Sequence, residues 1–481
     1  MQQYQRFIFD TYLFNDRTGE IQLQYSLDDD ISFTETVTIP LQGANLQDMN
    51  VTAFANALRS LHLIGGISYY KTCLPKTLEI RSAPLTQDQA AFWNSVYENG
   101  LGEFFYRNNI DFRGLIHFPS SQPPPPVPPP PPGEGARGWG LVSKNKGKKP
   151  RVLVPLGGGK DSVVTAELLR KAGYDVTLLR MGHHPLIEEL ARTMKLPLLT
   201  VDRRLSPALF DLNAQGALNG HVPITAYLSF VAVIVALLHG FDAVAMSNER
   251  SANIGNVEFH GKEINHQWSK SLEFERDFQE YVRQSIATDI EYFSLLRPLS
   301  ELHIAKLFTE LPQYFHCTTS CNKNWKILSS QPPPPVPPPP SGEGARGWGL
   351  DKNKDGTKLW CGTCPKCAFV FLLYAAFLPR QTLEEIFGKN LFEDGKLTPL
   401  YRELLGLEGI KPFECVGTPE ESRAAFLMAH ERGDLDDTLM MRMFVSDVLP
   451  SIKNEKELLQ DVFVPSDEHV IPDAYRSALP S

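Results

Sequence analysis

The pattern of apolar and polar positions divides the chain near residue 118. Residues 7–14, 21–27 and 32–39 alternate apolar with polar, the period of half-buried antiparallel strands. The polar run Asn15 to Gly19 is a turn signal between the first two. Helical spacing follows over residues 52–62 and again over 87–106. This predicts a small α+β domain over residues 1–118, which contains no catalytic signature.

Beyond residue 150 strands and helices alternate. The apolar run 152–156 reads as a buried strand, and residues 163–170 carry helical spacing. Strand 175–181, helix 185–194 and strand 196–201 come next, then an apolar helix around Phe230 and a strand over 243–246. Such alternation predicts an α/β fold with a doubly wound parallel sheet, in which ligands collect at the carboxyl ends of strands. Residues 222–238 carry no charge, but the stretch is short for a bilayer and sits inside this pattern, so it reads as a buried helix. Residues 368–378 read as another buried helix.

A block of 22 residues at 120–141 recurs at 329–350, the copies differing only at Pro132 against Ser341. Polyproline of this kind forms an extended, solvated spacer with no apolar period to bury. Near-identical copies in two unrelated places read as insertions tolerated in surface loops rather than as docking sites for partner domains. The organisation expected is an N-terminal domain (1–118), a Pro-rich linker (119–150), a catalytic domain (151–328), a second insertion (329–358) and a C-terminal helical region with a cysteine knuckle (359–481).

Composition narrows the class. A chain of 481 residues that is 42% hydrophobic and carries a net charge of −9 is an ordinary globular protein, and the negative charge argues against general nucleic-acid binding. Five of its seven cysteines cluster between residues 317 and 367, which suits metal-binding thiolates in a reducing cytoplasm better than a secreted disulfide scaffold. The N-terminus lacks the pattern of a signal peptide.

Two stretches carry candidate chemistry. The first is the turn Gly157, Gly158, Gly159, Lys160, Asp161, Ser162 between strand and helix. Glycines allow close backbone approach, and the N–H groups of the helix's first turn point at an anion. It fits neither the Walker nor the dinucleotide spacing. It does resemble the PP-loop, S-G-G-x-D-S, of the ATP pyrophosphatase superfamily (adenine nucleotide alpha hydrolase-like), with Gly157 in place of the usual Ser. Polar segments at 247–256 and 263–271 add Glu249, Arg250, His266 and Lys270, the last two spaced to share a helix face. Arg250, Lys270 and Arg297 have the charge to contact phosphate or carboxylate, and Glu249 could hold Mg²⁺ or accept a proton. The second stretch is Cys361-Gly-Thr-Cys364-Pro-Lys-Cys367, which with Cys321 makes a Cys₄ set for structural Zn²⁺; a [4Fe–4S] cluster competes, and Cys317 is a spare.

Several stretches together resemble one family: residues 157–162, 218–223, 246–251, 265–275, 294–300, 360–367 and 411–417. They are similar to the MurL family, epimerases of UDP-N-acetylmuramoyl-L-alanyl-L-glutamate in peptidoglycan synthesis, over residues 151–423 and more loosely over 1–118. The resemblance implies a cytoplasmic isomerase with a UDP-muramoyl dipeptide and ATP as small-molecule partners, Mg²⁺ beside Asp161 or Glu249, and no nucleic-acid or membrane partner. It further implies adenylation of the glutamate carboxylate with loss of pyrophosphate, followed by proton exchange at Cα, for which His266 and Lys270 are candidates. Two other readings remain: a PP-loop ligase or thiolating enzyme of the 7-cyano-7-deazaguanine synthase type, and a nucleotide-binding sensor that recruits partners through its proline tracts.

Overall fold

The computed structural model describes residues 4–121, 149–287, 289–325, 359–409 and 411–480. Most of both Pro-rich blocks, residues 122–141 and 329–350, lies outside the described residues.

Among the described residues eleven strands occur in chain order: β1 Arg6–Asn15, β2 Glu20–Leu27, β3 Ile31–Thr38, β4 Thr77–Ile80, β5 Arg151–Pro155, β6 Asp175–Met181, β7 Leu198–Arg204, β8 Ala243–Met246, β9 Val257–Phe259, β10 Lys262–Ile264 and β11 Glu291–Ser294. Nine of them form one sheet in the order β11-β8-β5-β6-β7-β3-β2-β1-β4, while β9 and β10 pair as a separate hairpin. The half from β11 to β7 is parallel, as the alternating pattern requires. The strands β1, β2 and β3 form an antiparallel meander, as their alternation requires.

The meander does not form a sheet of its own. Strand β3 pairs antiparallel with β7 through Thr36↔Arg204, Val37↔Arg203 and Thr38↔Asp202. Strands β1 to β4 therefore extend the sheet that carries the glycine turn instead of standing as a separate small sheet. A buried polar cluster fixes that junction. Glu35 is 0% exposed and accepts from Arg203 at 2.9 and 3.1 Å, from Tyr69 at 3.0 Å and from Tyr227 at 2.7 Å. A carboxylate with four such donors is satisfied in a place where an unpaired one is very costly. Alternation alone places Glu35 on the inward face of β3 but does not reveal its partner, because Arg203 is 168 residues away.

The apolar helix Ile224–His239 is buried along most of its length and ends at Gly240, whose φ of +68° closes the last turn. Among the described residues no helix is long and apolar enough to cross a membrane. The chain divides into two compact units, one comprising Met1–Phe308, Phe413–Cys415 and Phe463–Ser481, the other Thr309–Pro412 and Val416–Val462. The second unit is helical, and its core stacks Phe392 on Phe426 and Phe426 on Phe444 at ring distances of 5.0 and 5.1 Å.

Candidate active site

Strand β5 is buried and delivers the glycine turn at its carboxyl end. Gly158 has φ +85°, a conformation a side chain would strain. A Cβ added at Gly157 would meet nothing within 4 Å, so the position where the superfamily carries Ser has room for one. The helix Lys160–Lys171 starts here with Gly159 as its N-cap. Ser162 Oγ accepts from Gly157 N–H at 3.3 Å and donates to the Gly159 carbonyl at 3.2 Å, closing the turn on itself. Lys160 points inward, 2% exposed, to Asp161 at 2.5 Å and to buried Glu301. In this conformation the Lys160 ammonium is committed to the protein interior, and Asp161 is half-buried.

The segment after β8 carries Glu249 and Arg250 as expected. Glu249 is buried, with Ser251 Oγ 3.5 Å from its carboxylate. Arg250 donates to the Val464 carbonyl at 3.1 Å, a backbone anchor. Arg297, with the charge to bind phosphate, is 0% exposed and serves the scaffold instead. Its guanidinium pairs with Glu275 at 2.7 Å, and it donates to the carbonyls of Glu249 at 2.7 Å and Lys270 at 2.5 Å. It thus fixes the backbone on both sides of the site.

His266 and Lys270 do not share a helix face. His266 follows β10 in a loop built by asparagines, its N–H donating to Asn256 Oδ1 at 2.8 Å, and Lys270 ends a short 3₁₀ turn, Trp268–Lys270. They converge all the same, on Cys415. Lys270 Nζ donates to Cys415 Sγ at 3.1 Å, and the His266 ring hydrogen-bonds the same sulfur. Phe413 brings Cys415 there: its ring stacks on Tyr106 at 5.2 Å, with the Arg107 guanidinium 4.9 Å from its centroid. On its other side His266 Nδ1 bonds Glu103, which also faces His221 at 3.3 Å and Arg107 at 2.5 Å.

The electrostatics follow from these contacts. Burial disfavours the His266 imidazolium, but hydrogen bonds to Cys415 and Glu103, and their charges, outweigh it and raise His266 to about 9. Burial likewise opposes the Lys270 ammonium, and Cys415 and Glu249, with Asp161 of the glycine turn further off, raise it regardless. Burial would raise Glu103, yet His266, His221 and Arg107 bring it down to about 2. Partial burial, and then the neighbouring charged His266, lower His221 to about 4. A chain of polar contacts therefore runs from Lys270 through Cys415 and His266 to Glu103.

Cys415 and Glu103 escaped prediction. Glu103 lies in a helix without a motif, and Cys415 was visible only as a cysteine outside the knuckle, within the stretch 411–417.

The cysteine knuckle lies in the second unit. Cys321, Cys361, Cys364 and Cys367 place their sulfurs within 4.8 Å of one another. The Cys361–Cys367 and Cys364–Cys367 sulfur distances are 3.7 and 3.5 Å. Zn–S bonds of about 2.3 Å in a tetrahedron give edges of about 3.8 Å, so the four fit such an ion. Cys317 turns away and donates to the Tyr314 carbonyl at 3.6 Å.

Comparison with known proteins decides the family. The chain matches the MurL N-terminal domain over residues 1–295 and the MurL C-terminal domain over residues 345–459. The chain belongs to the MurL family. A relative from Xanthomonas oryzae pv. oryzae, named UDP-N-acetyl-alpha-D-muramoyl-L-alanyl-L-glutamate epimerase, is 38% identical over 458 residues, 95% of this chain and 93% of that protein. One of the same name from a Micromonospora species is 38% identical over 98% of this chain and 97% of its own length. Membership of this epimerase family makes the chain an enzyme of the isomerase class. A 7-cyano-7-deazaguanine synthase 2 from Sulfurisphaera tokodaii is 27% identical over 255 residues, 47% of this chain and 52% of that protein, a likeness that hints at a PP-loop fold.

Proposed function

We propose that this MurL-family chain inverts the terminal L-glutamate of UDP-N-acetylmuramoyl-L-alanyl-L-glutamate to D-glutamate, using ATP to activate the carboxylate. The problem is one of carbon acidity. A Cα–H beside a carboxylate is very weakly acidic because deprotonation would place a second negative charge next to the first. Transfer of AMP to that carboxylate, with release of pyrophosphate, removes the charge and makes the carbonyl an electron sink. A base then takes the Cα proton, a proton arrives on the opposite face, and hydrolysis frees AMP and the inverted dipeptide.

The observation that carries this reading is the glycine turn at the end of β5, joined electrostatically through Lys270 to the cluster at Cys415 and His266. Gly157 to Ser162 would take the pyrophosphate portion of ATP on backbone N–H groups at a helix N-terminus. Asp161 and Glu249 are the carboxylates suited to Mg²⁺, a hard cation that would shield phosphate charge when bound. Lys270 lies where an ammonium can attract the substrate carboxylate or the leaving phosphate. His266 and Lys270 are the candidate proton-transfer groups, and the Cys₄ set would hold a structural Zn²⁺ that scaffolds its own unit.

The test is incubation of the protein with the dipeptide substrate, ATP and Mg²⁺ in D₂O. D-glutamate carrying Cα deuterium, with one AMP per inversion, is expected. AMP without inversion would move the chain to the ligase or amide-forming class.

A further inference from the structure

The candidate bases His266 and Lys270 present a difficulty. Both are held in the protonated form at neutral pH by the groups they touch, so both are acids there. The partner they share is the half-buried sulfur of Cys415. We propose that Cys415 is the residue that takes the proton from Cα of the substrate's terminal glutamate, with Lys270 and His266 as the positioning cations that keep it a thiolate. This rests on the adenylation reading for the acidity of Cα, but not for the identity of the base.

Three observations on geometry support the assignment. Two cationic donors converge on one sulfur, Lys270 at 3.1 Å and the His266 ring from its side, and flanking cations favour the thiolate. Lys270, the donor to this sulfur, also feels the charges of Glu249 and of Asp161 in the glycine turn. Two residues before Cys415, Phe413 stacks on the Tyr106 ring at 5.2 Å, with the Arg107 guanidinium 4.9 Å from its centroid. Among the described residues, the charged groups facing His266 from the other elements include Glu103, with His221 and Arg107 gathered on that carboxylate.

The step balances as follows. The Cα–H bond breaks and an S–H bond forms on Cys415, while the bond's electron pair moves into the activated carbonyl as an enolate. The opposite face of the enolate takes a proton from water. The Cys415 thiol then returns its proton to the hydroxide left behind, which restores the thiolate.

The experiment compares the wild type with Cys415→Ser and Cys415→Ala, using the dipeptide substrate, ATP and Mg²⁺ in D₂O, with AMP, Cα deuterium and D-glutamate measured together. Both variants should still form AMP, and lose Cα deuterium and inversion by about 100-fold or more, the usual span of a general base. Inversion within about tenfold of wild type in Cys415→Ala overturns the proposal. Loss of AMP in step with inversion overturns it too, because the role would then be binding or structure. Should wild type invert without forming AMP, adenylation fails, and Cys415 is judged on deuterium exchange alone. Where a variant misfolds, alkylation of folded wild type with iodoacetamide replaces it. Label located at Cys415 by mass spectrometry should abolish exchange and spare AMP, and label there with exchange unchanged refutes the assignment.

Discussion

Arg297→Met should unfold more easily and lose catalysis through the backbone it holds. The guanidinium is 0% exposed, and its partner Glu275 is 1% exposed. With Arg297 gone, Glu275 keeps the Ser294 N–H at 2.7 Å but no cation, and the carbonyls of Glu249 and Lys270 each lose a donor. Removing one partner of a buried ion pair costs about 3–5 kcal/mol. The Glu249 carbonyl keeps the Ala252 N–H at 3.4 Å, and the Lys270 carbonyl, left without this donor, adds about 1 kcal/mol or more. A loss of about 4–6 kcal/mol is a large part of a typical domain's stability. Removing both charges together, in Arg297→Met with Glu275→Leu, spares the unpaired carboxylate, so the double variant should recover about 2 kcal/mol or more over the sum of the singles. Arg297→Lys keeps the charge but not the planar fork, and should fold while turning over substrate more slowly, because Lys270 and Glu249 lose a common anchor. Urea titration of the four proteins with steady-state kinetics of Arg297→Lys checks all of this. A loss under about 1 kcal/mol in Arg297→Met, or no coupling in the cycle, would refute the claim that this pair is a buried strut.

Other predictions concern separate places. Gly158→Ala should impair ATP binding and cost about 1 kcal/mol, because φ is +85° there, whereas Gly157→Ser should be tolerated; nucleotide titration and thermal melts distinguish the two. His266 has its pKa raised from 6.5 to about 9, so its contribution to stability is complete below pH 6.5 and declines as pH rises through about 9. Glu103, lowered to about 2, stabilises above pH 4.5 and loses that contribution as pH falls towards 2; His266→Gln and Glu103→Gln should flatten the alkaline and acidic arms of a pH–stability curve respectively. Glu35→Gln should destabilise by about 3 kcal/mol through the orphaned Arg203 charge, seen as a lower urea midpoint. A chelator strong enough to strip zinc, or Cys364→Ser, should remove one metal per chain by elemental analysis and lower the melting temperature.

Much of this architecture was legible in the sequence because local periodicity encodes it. The alternation over residues 7–39 and the apolar runs at 152–156, 175–181 and 243–246 became strands, since burial on one face or both dictates those periods. The glycine turn landed between strand and helix for the same reason. The junction of β3 with β7 was not legible: pairing of distant strands depends on Glu35 and Arg203 meeting in space, and no window of sequence contains both. Nor was the convergence on Cys415, which lies 145 residues from Lys270. A helical spacing put His266 and Lys270 on one helix face; the structure instead has them in a loop and a 3₁₀ turn that approach a shared third residue.

The central claim is that ATP activates the substrate carboxylate as an acyl adenylate. Dipeptide labelled with ¹⁸O in the terminal glutamate carboxylate tests it most directly. If AMP is transferred to that carboxylate and water attacks its carbonyl carbon on release, AMP recovered after turnover carries one ¹⁸O in its phosphate. Inverted product alongside AMP with no ¹⁸O would contradict the account, which requires adenylation and release by water attack at the carbonyl carbon.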